Sequence, residues 1–362
     1  MVRLTFVGDI ALDKPLLNAA KARGRGQYDF SDVFHTDEVF AESNLVIGNL
    51  ETCFGGGNGF NTKPYHYNSP DSFCDAIKAA GIDLVSTANN HCMDEGVSGL
   101  QRTLQQLDRC GILHTGTFET ETEDRFLLKE IQGIKIAIYS MTYSVNNCIE
   151  SIECRNLYRY INLTGFSGRS GAKATLIWRY AIRPKLSQMV NKLRKRSTIS
   201  AHTDSFRVGQ INPRWMQDIE KQISQAREKS DILVVLLHSG GQFNTEPGEF
   251  SKYMMDKLCA LGADIVIGNH SHTVQRIENR EGRIVAFSLG GFCMSTSGEY
   301  LVKECLPEYS LALHVDIDDG KIKNSKVCLL KGVENEDGYL RIGKADNQEL
   351  GAGIIWERCG LE

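Results

Sequence analysis

Short apolar runs that stop at a small residue and then meet a polar or charged one recur along this chain. Arg3–Val7, Asn44–Gly48, Ile82–Ser86, Asp231–Leu237 and the start of Asp264–His272 have this form, and their density of Val, Ile and Leu predicts buried strands. Arg125–Ile131 and Ile134–Met141 flank Gly133 and predict a hairpin, with Ile134, Ile136 and Ile138 alternating in the second run. Arg283–Leu289 and Ser310–Ile317 are two further strands. A different period governs Val97–Cys110, where Leu100, Leu104 and Leu107 recur at helical spacing and Gly111 supplies the stop. Pro70–Ala80, Trp215–Lys229 and Glu249–Leu261 read as helices for the same reason. Residues 13–26 are polar and bear Gly and Arg, so helix or loop stays open there. Beyond Val333 the tail is polar and shows no assignable element. The glycine-rich stretch Gly55–Gly59, followed by Lys63–Tyr67, has no period and predicts a loop long enough to serve a site.

The alternation breaks between Tyr143 and Pro213. From 155 to 214 the chain carries 13 basic residues against the single acid Asp204. Ala172–Arg196 predicts one or two helices interrupted near Pro184. Such a segment is either a solvated helical cap or a surface that attracts a polyanion. Its aromatic residues (Tyr158, Tyr160, Phe166, Trp178, Tyr180) belong to no recognisable nucleic-acid module, so nucleic acid is the least favoured partner.

Composition narrows the class. A chain of 362 residues with 41% hydrophobic and 24% charged residues is long enough to bury a core without disulfides or a structural metal. The first nine residues read as a strand rather than a signal peptide, and no run of 18 apolar residues predicts a membrane-spanning helix. The 11 cysteines are scattered without a Cys-x-x-Cys pair, which points to reduced thiols and a cytoplasmic protein.

The candidate chemistry sits where the strands stop. His270 and His272 follow the Ile265–Ile267 run two residues apart, and in extended backbone such side chains point the same way. Asp9, Glu51, Asn90 with His91, and His238 occupy the same place after other strands. In open α/β sheets, functional side chains gather beyond the carboxyl ends of strands. Carboxylates, an amide and imidazoles, with no thiolate, suit Mn, Zn or Fe better than Mg or Ca. One or two such ions, about 3.5–4 Å apart and sharing a carboxylate, would activate a water.

Gly8-Asp9, Gly48-Asn49-Leu50-Glu51, Ala88-Asn89-Asn90-His91 with Asp94, His238-x-Gly240 and Gly268-x-His270-x-His272, in that order, resemble the CapA family of bacterial capsule and poly-γ-glutamate proteins. That family looks like a branch of the calcineurin-type metallophosphoesterases. The resemblance covers Arg3–Phe292 and implies an α/β sandwich of two mixed β-sheets flanked by helices, with the basic, mainly helical segment 143–213 as an insertion. The domain would span 1–325, with 326–362 as a C-terminal extension. It further implies that Glu51 bridges two metal positions. Asn90, His238 and His270 would complete one shell and Asp9 and His272 the other, with His91 beside them as general acid. Asn89 and Lys63 are the expected substrate contacts.

The chain departs from the superfamily at the first strand, where Ala11 stands in place of the usual His and leaves one shell short of an imidazole. It departs from the CapA pattern at His238-Ser239-Gly240 with Gln242, where His-Trp-Gly and a later Glu are usual. It differs again at Ser288-Leu289-Gly290-Gly291-Phe292, where Gly291 replaces an Asn. Two readings follow. One is a metal-dependent hydrolase of a phosphoester or γ-glutamyl-type bond, acting on an anionic small molecule or polymer. The other is a non-catalytic capsule-biosynthesis accessory protein that binds an anionic polymer.

Overall fold

A computed structural model describes residues 1–57, 59–61, 66–121, 124–146, 157–164, 201, 206–298 and 301–360. The described strands form two sheets. The larger holds β1 (Val2–Ile10), β2 (Phe34–His35), β3 (Leu45–Leu50), β4 (Leu84–Ser86), β5 (Leu113–Thr115), β12 (Gly291–Cys293), β13 (Tyr309–Asp318), β14 (Lys321–Glu334) and β15 (Leu340–Lys344). Its order is β2-β15-β14-β13-β1-β3-β4-β5, with β12 beside the end of β1. The smaller holds β6 (Leu127–Ile131), β7 (Ile134–Thr142), β8 (Ile232–His238), β9 (Ile265–Asn269), β10 (Ile277–Arg280) and β11 (Arg283–Ala286), in the order β10-β11-β9-β8-β7-β6.

Period-two alternation explains why the sheets stack. Leu4, Phe6, Ile47 and Leu84 of the larger sheet share a buried cluster with Ile136, Val234 and Ile267 of the smaller one. The intervening residues point outward. Val7, Val46 and Val85 pack under α1 (Lys14–Arg23), α3 (Asp71–Ala79) and α4 (Gly96–Cys110), where Leu16, Phe73 and Leu104 meet them; α2 (Asp37–Phe40) adds Phe40. Leu233, Val235 and Val266 pack under α5 (Pro213–Glu228) and α6 (Glu249–Ala260) through Ile223 and Leu258. Both faces of the central strands are apolar because each strand is covered twice. The result is the expected sandwich of two mixed sheets flanked by helices.

Local chemistry sets the ends of these elements. Asp13 caps α1 by accepting from the Leu16 N–H, and Asn212 caps α5, whose first residue is Pro213. Gly111 ends α4 with φ 65°, a left-handed conformation that glycine adopts without a Cβ penalty. Gln132 and Gly133, with φ 50° and 79°, make the tight turn of the β6–β7 hairpin.

The chain beyond 325, set off from sequence as an extension, continues the larger sheet. β14 crosses that boundary, β15 pairs it, and α7 (Leu350–Cys359) buries Ala352, Ile355 and Cys359 in the inter-sheet core. Most of the basic segment 143–213, including the helices expected over Ala172–Arg196, lies outside the described residues. None of the described helices is long and apolar enough to cross a membrane, and the described cysteines form no disulfide.

Two glycines test the packing. A Cβ on Gly8 would lie 1.8 Å from the Gly290 carbonyl oxygen, which itself accepts from the Asp9 N–H, whereas one on Gly353 of α7 meets nothing within 4 Å. Gly8→Ala is expected to destabilise the protein by about 1–3 kcal/mol, and Gly353→Ala to stabilise it by about 0.4–1 kcal/mol. Urea midpoints at constant m measure both, and equal midpoints for the two variants would refute the assignment.

Candidate metal centre

The parallel strands β1, β3 and β4 of one sheet and β8 and β9 of the other end on the same side. Asp9 is the penultimate residue of β1, and its register partners are Asn49 on β3 and Gly291 on β12. The register of β1 breaks between Phe6 and Asp9, where Gly8 lets the Gly290 backbone close in. Glu51 follows β3 by one residue, and its N–H donates to the Ile10 carbonyl (2.9 Å). His238 ends β8, opposite Asn269 of β9 and Thr142 of β7. A Cβ on Gly268 would fall 2.1 Å from the Phe287 carbonyl oxygen, so only glycine permits β9 to approach there. Small residues before the polar ones thus let neighbouring backbone close in at the strand ends.

Two overlapping groups result. Glu51, His238 and His270 form one and Asp9, Glu51 and His272 the other, each with donor atoms within 4.8 Å of one another. All of these side chains are buried. Glu51 Oε1 lies 3.6 Å from His238 Nε2 and 4.0 Å from His270 Nδ1, while Oε2 lies 3.7 Å from His272 Nδ1. His272 Nδ1 is also 3.0 Å from Asp9 Oδ2. Asn90 Oδ1 joins the first group, accepting from His238 Nε2 at 2.7 Å.

The donor set fits a divalent ion. Both Glu51 oxygens are buried and accept no hydrogen bond. An ionised carboxylate so placed needs a counter-charge. Ligands about 2.1 Å from one ion stand roughly 3.0–3.4 Å apart, close to the spacing here. Burial, then the charges of Asp9 and Asp94, push the Glu51 carboxyl well above its ordinary range. Burial, then the neighbouring imidazoles His270, His272 and His91, push His238 well below its own. Without a cation, burial therefore disfavours the charged forms of both Glu51 and His238.

An outer ring orients these groups. Asn49 Nδ2 donates to Asp9 Oδ1 (2.7 Å) and faces His238 Nδ1 at 3.2 Å. The His270 N–H donates to Asp9 Oδ2 (3.2 Å), and the Tyr143 hydroxyl stands 3.3 Å from His270 Nε2. Gln242 Nε2 lies 3.5 Å from His272 Nε2. His91 faces the cluster through Nε2, 4.0 Å from Glu51 Oε1, and its Nδ1 is 2.6 Å from Asp94 Oδ2. Asn146 Nδ2 reaches the same Nε2 at 3.3 Å.

The structure brings Asp9, Glu51, Asn90, His91, His238, His270 and His272 into one cluster. It does so differently from the extended His-x-His expected. His270 and His272 have φ 98° and 55°, left-handed values that cost on the order of 1–3 kcal/mol each in a non-glycine residue. The chain turns back at β9's end, so the two rings lie 6.1 Å apart and serve different groups. Asn89 is fully buried; its amide donates to the Leu50 carbonyl (2.6 Å) and accepts from the His91 N–H (3.0 Å). That ties β3 to the His91 turn, a different use from the expected substrate contact. Lys63 lies outside the described residues. Asn49 was visible only as part of a motif; Tyr143 and Asn146, in the loop after β7, carried no sequence signal of their role.

Residues 3–296 match the family described as bacterial capsule synthesis protein PGA_cap. The chain is 26% identical over 320 residues to the uncharacterized protein y4sH of Sinorhizobium fredii, an alignment covering 80% of this chain and 65% of that one. It is 21% identical over 315 residues to the PGA biosynthesis protein CapA of Bacillus subtilis, covering 85% of this chain and 67% of that protein. Among solved structures, a novel phosphatase from Mycoplasma pneumoniae is similar at 12% identity and a TM-score of 0.45, over 91% of this chain and 92% of the other.

A buried Glu51 without a partner has a thermodynamic consequence. Its raised pKa leaves stability unaffected below the unfolded value, about 4.3, and lowers it as pH rises toward the folded value. In EDTA at pH 7, Glu51→Gln is expected to be more stable than the unsubstituted protein by about 1–3 kcal/mol, with the gap closing near pH 4. Mn²⁺ is expected to raise the melting temperature of the unsubstituted protein by mass action and to leave the variant unchanged. Calorimetry with and without EDTA measures this; a variant less stable than its parent at pH 7 contradicts it.

Proposed function

The chain belongs to the PGA_cap family of bacterial capsule synthesis proteins, and from that premise we propose that it is a metal-dependent hydrolase. Its bond would be a phosphoester or γ-glutamyl-type linkage in an anionic small molecule or polymer, in capsule or poly-γ-glutamate metabolism. The observation that carries the reading is Glu51, whose two buried, hydrogen-bond-free oxygens face two separate groups of imidazole and carboxylate ligands. One or two ions of Mn, Zn or Fe bound there would supply Lewis acidity at the scissile bond and lower the pKa of a water.

The chain's own residues have distinct tasks in this reading. Glu51, Asn90, His238 and His270 hold one position; Glu51, Asp9 and His272 hold the other. His91 delivers a proton to the leaving oxygen through Nε2, the ring nitrogen that faces the cluster. Asp94 grips Nδ1, fixing the ring's orientation and stabilising it when it carries charge. Asn49 holds Asp9 and His238 in mutual register.

The second reading, a non-catalytic accessory protein that binds an anionic polymer, draws on two facts. Ala11 occupies the place of a further imidazole near Asp9, and 13 basic residues crowd positions 155–214. The absence of disulfides among the described cysteines supports a cytoplasmic setting for either.

Nitrophenyl phosphomonoester and phosphodiester assays separate them. We expect Mn²⁺-dependent hydrolysis that falls to background in His270→Ala along with bound metal. In His91→Ala the rate should drop about 10²–10⁴-fold while metal content by elemental analysis is kept. Absence of metal in the unsubstituted protein, or a His270→Ala rate equal to it, would end the hydrolase reading. Retention of poly-γ-glutamate by an inactive protein, lost when residues 155–196 are deleted, would favour the accessory reading instead.

A further inference from the structure

A second polar site lies on the helix-covered face of the smaller sheet. A cavity of about 580 Å³ is bounded by Tyr139 of β7, the 159–163 segment, Arg125 and the face of α5 that carries Trp215, Asp218 and Gln225. None of its lining residues belongs to the metal cluster. Its volume is that of a small-molecule pocket.

Residues of its wall carry buried polar atoms that are unsatisfied in a complementary way. Arg125 Nε and Nη2 are buried without hydrogen-bond partners, and Arg125 makes no ion pair among the described residues. These two nitrogens form one edge of the guanidinium, the edge that takes a carboxylate through two parallel bonds. The guanidinium lies over the Phe118 ring, 5.1 Å from its centroid, and the backbone N–H of Arg125 donates to Gln222 Oε1 (3.0 Å), which fixes the residue's main chain beside the cavity. Burial pushes the Arg125 guanidinium below its ordinary pKa, outweighing the more distant charges of Asp218 and Glu121, neither of which forms an ion pair with it.

Two acceptors complete the picture. Asn162 spends its amide N–H groups on the Ser140 and Arg125 carbonyls (2.8 and 3.0 Å), leaving a buried Oδ1 with no partner. Gln225 Oε1 is buried and likewise without one. Leaving such groups dry and unpaired is costly, so a ligand with both an oxyanion and donors suits them. The lining also carries Asp218, Lys221 and the ion pair of Glu121 with Arg159 (3.9 Å), so charges of both signs border the cavity.

We propose that this cavity binds a small carboxylic acid that also carries an ammonium or hydroxyl group, its carboxylate seated on the free edge of Arg125. The proposal is independent of the hydrolase reading, since no metal ligand lines the cavity.

Calorimetric titration of the metal-loaded full chain with L-aspartate, L-malate and inorganic phosphate tests it, with Trp215 fluorescence as a second signal. Binding of aspartate or malate with Kd below about 1 mM is expected, and the stronger of the two identifies the donor as ammonium or hydroxyl. Arg125→Lys keeps the charge but loses the fork and should weaken binding at least tenfold. Gln225→Met, which leaves Arg125 on Phe118, should weaken it several-fold, so the proposal stays testable if the Arg125 variant fails to fold. Failure of both acids to bind, phosphate binding in their place, or affinities unchanged in the folded variants overturns the proposal.

Discussion

A carboxylate sealed away from water without a hydrogen bond is the constraint on which the rest of this structure depends. Glu51 sits at the seam where two sheets converge, and both its oxygens lack a partner. An uncompensated buried charge costs several kcal/mol, so the fold must keep the acid neutral or hold a cation against it. The convergence that buries Glu51 also delivers what such a cation needs. Three imidazoles, a second carboxylate and an amide reach the same seam because Gly8 and Gly268 let backbones touch where a Cβ would not fit. The left-handed backbone of His270 and His272 is the remaining strain, at the site where the ligand-type side chains gather.

Much of the scaffold was legible because it obeys simple periods. Ile265 and Ile267 face one layer and Val266 another, and the same alternation in β1, β3 and β8 makes a strand covered on both faces. The tail was not legible for a related reason. β14 reads as polar because most of its first half is exposed, and α7 carries Gly351 and Gly353, poor helix formers whose helix depends on burying Ala352 and Ile355. Tertiary packing decides those elements, and no local pattern announces it.

The cluster was legible as a list and less so as a shape. A strand, a small residue and a ligand type recur where the parallel strands end, and that repetition is a sequence signal. The turn that splits His270 from His272 is not, because two-residue spacing implies a common direction only if the backbone stays extended. Residues that orient others were harder still. Asn49, Tyr143 and Gln242 act through one or two hydrogen bonds to ring nitrogens or a carboxylate, and a lone amide or phenol has no spacing that marks it.

Ala11 raises the question of how the poorer group is sustained, and the hydrogen bonds answer it. Asp9 accepts from Asn49 Nδ2 and from the His270 N–H, so protein donors satisfy both of its oxygens. Glu51 has no such support. The two carboxylates therefore make unequal demands: the fold supplies Asp9 with hydrogen-bond donors and supplies Glu51 with none. With Asp94 set against His91, the charge left for the two groups is that of Asp9 and Glu51. A single divalent ion neutralises both. A second would leave the seam two charges positive, a state best matched when an anionic substrate occupies the cleft. In the proposed metal centre, electrostatics would thus rank the positions, with the Asn90, His238 and His270 side, richer in neutral donors, as the one that would need no substrate to be filled.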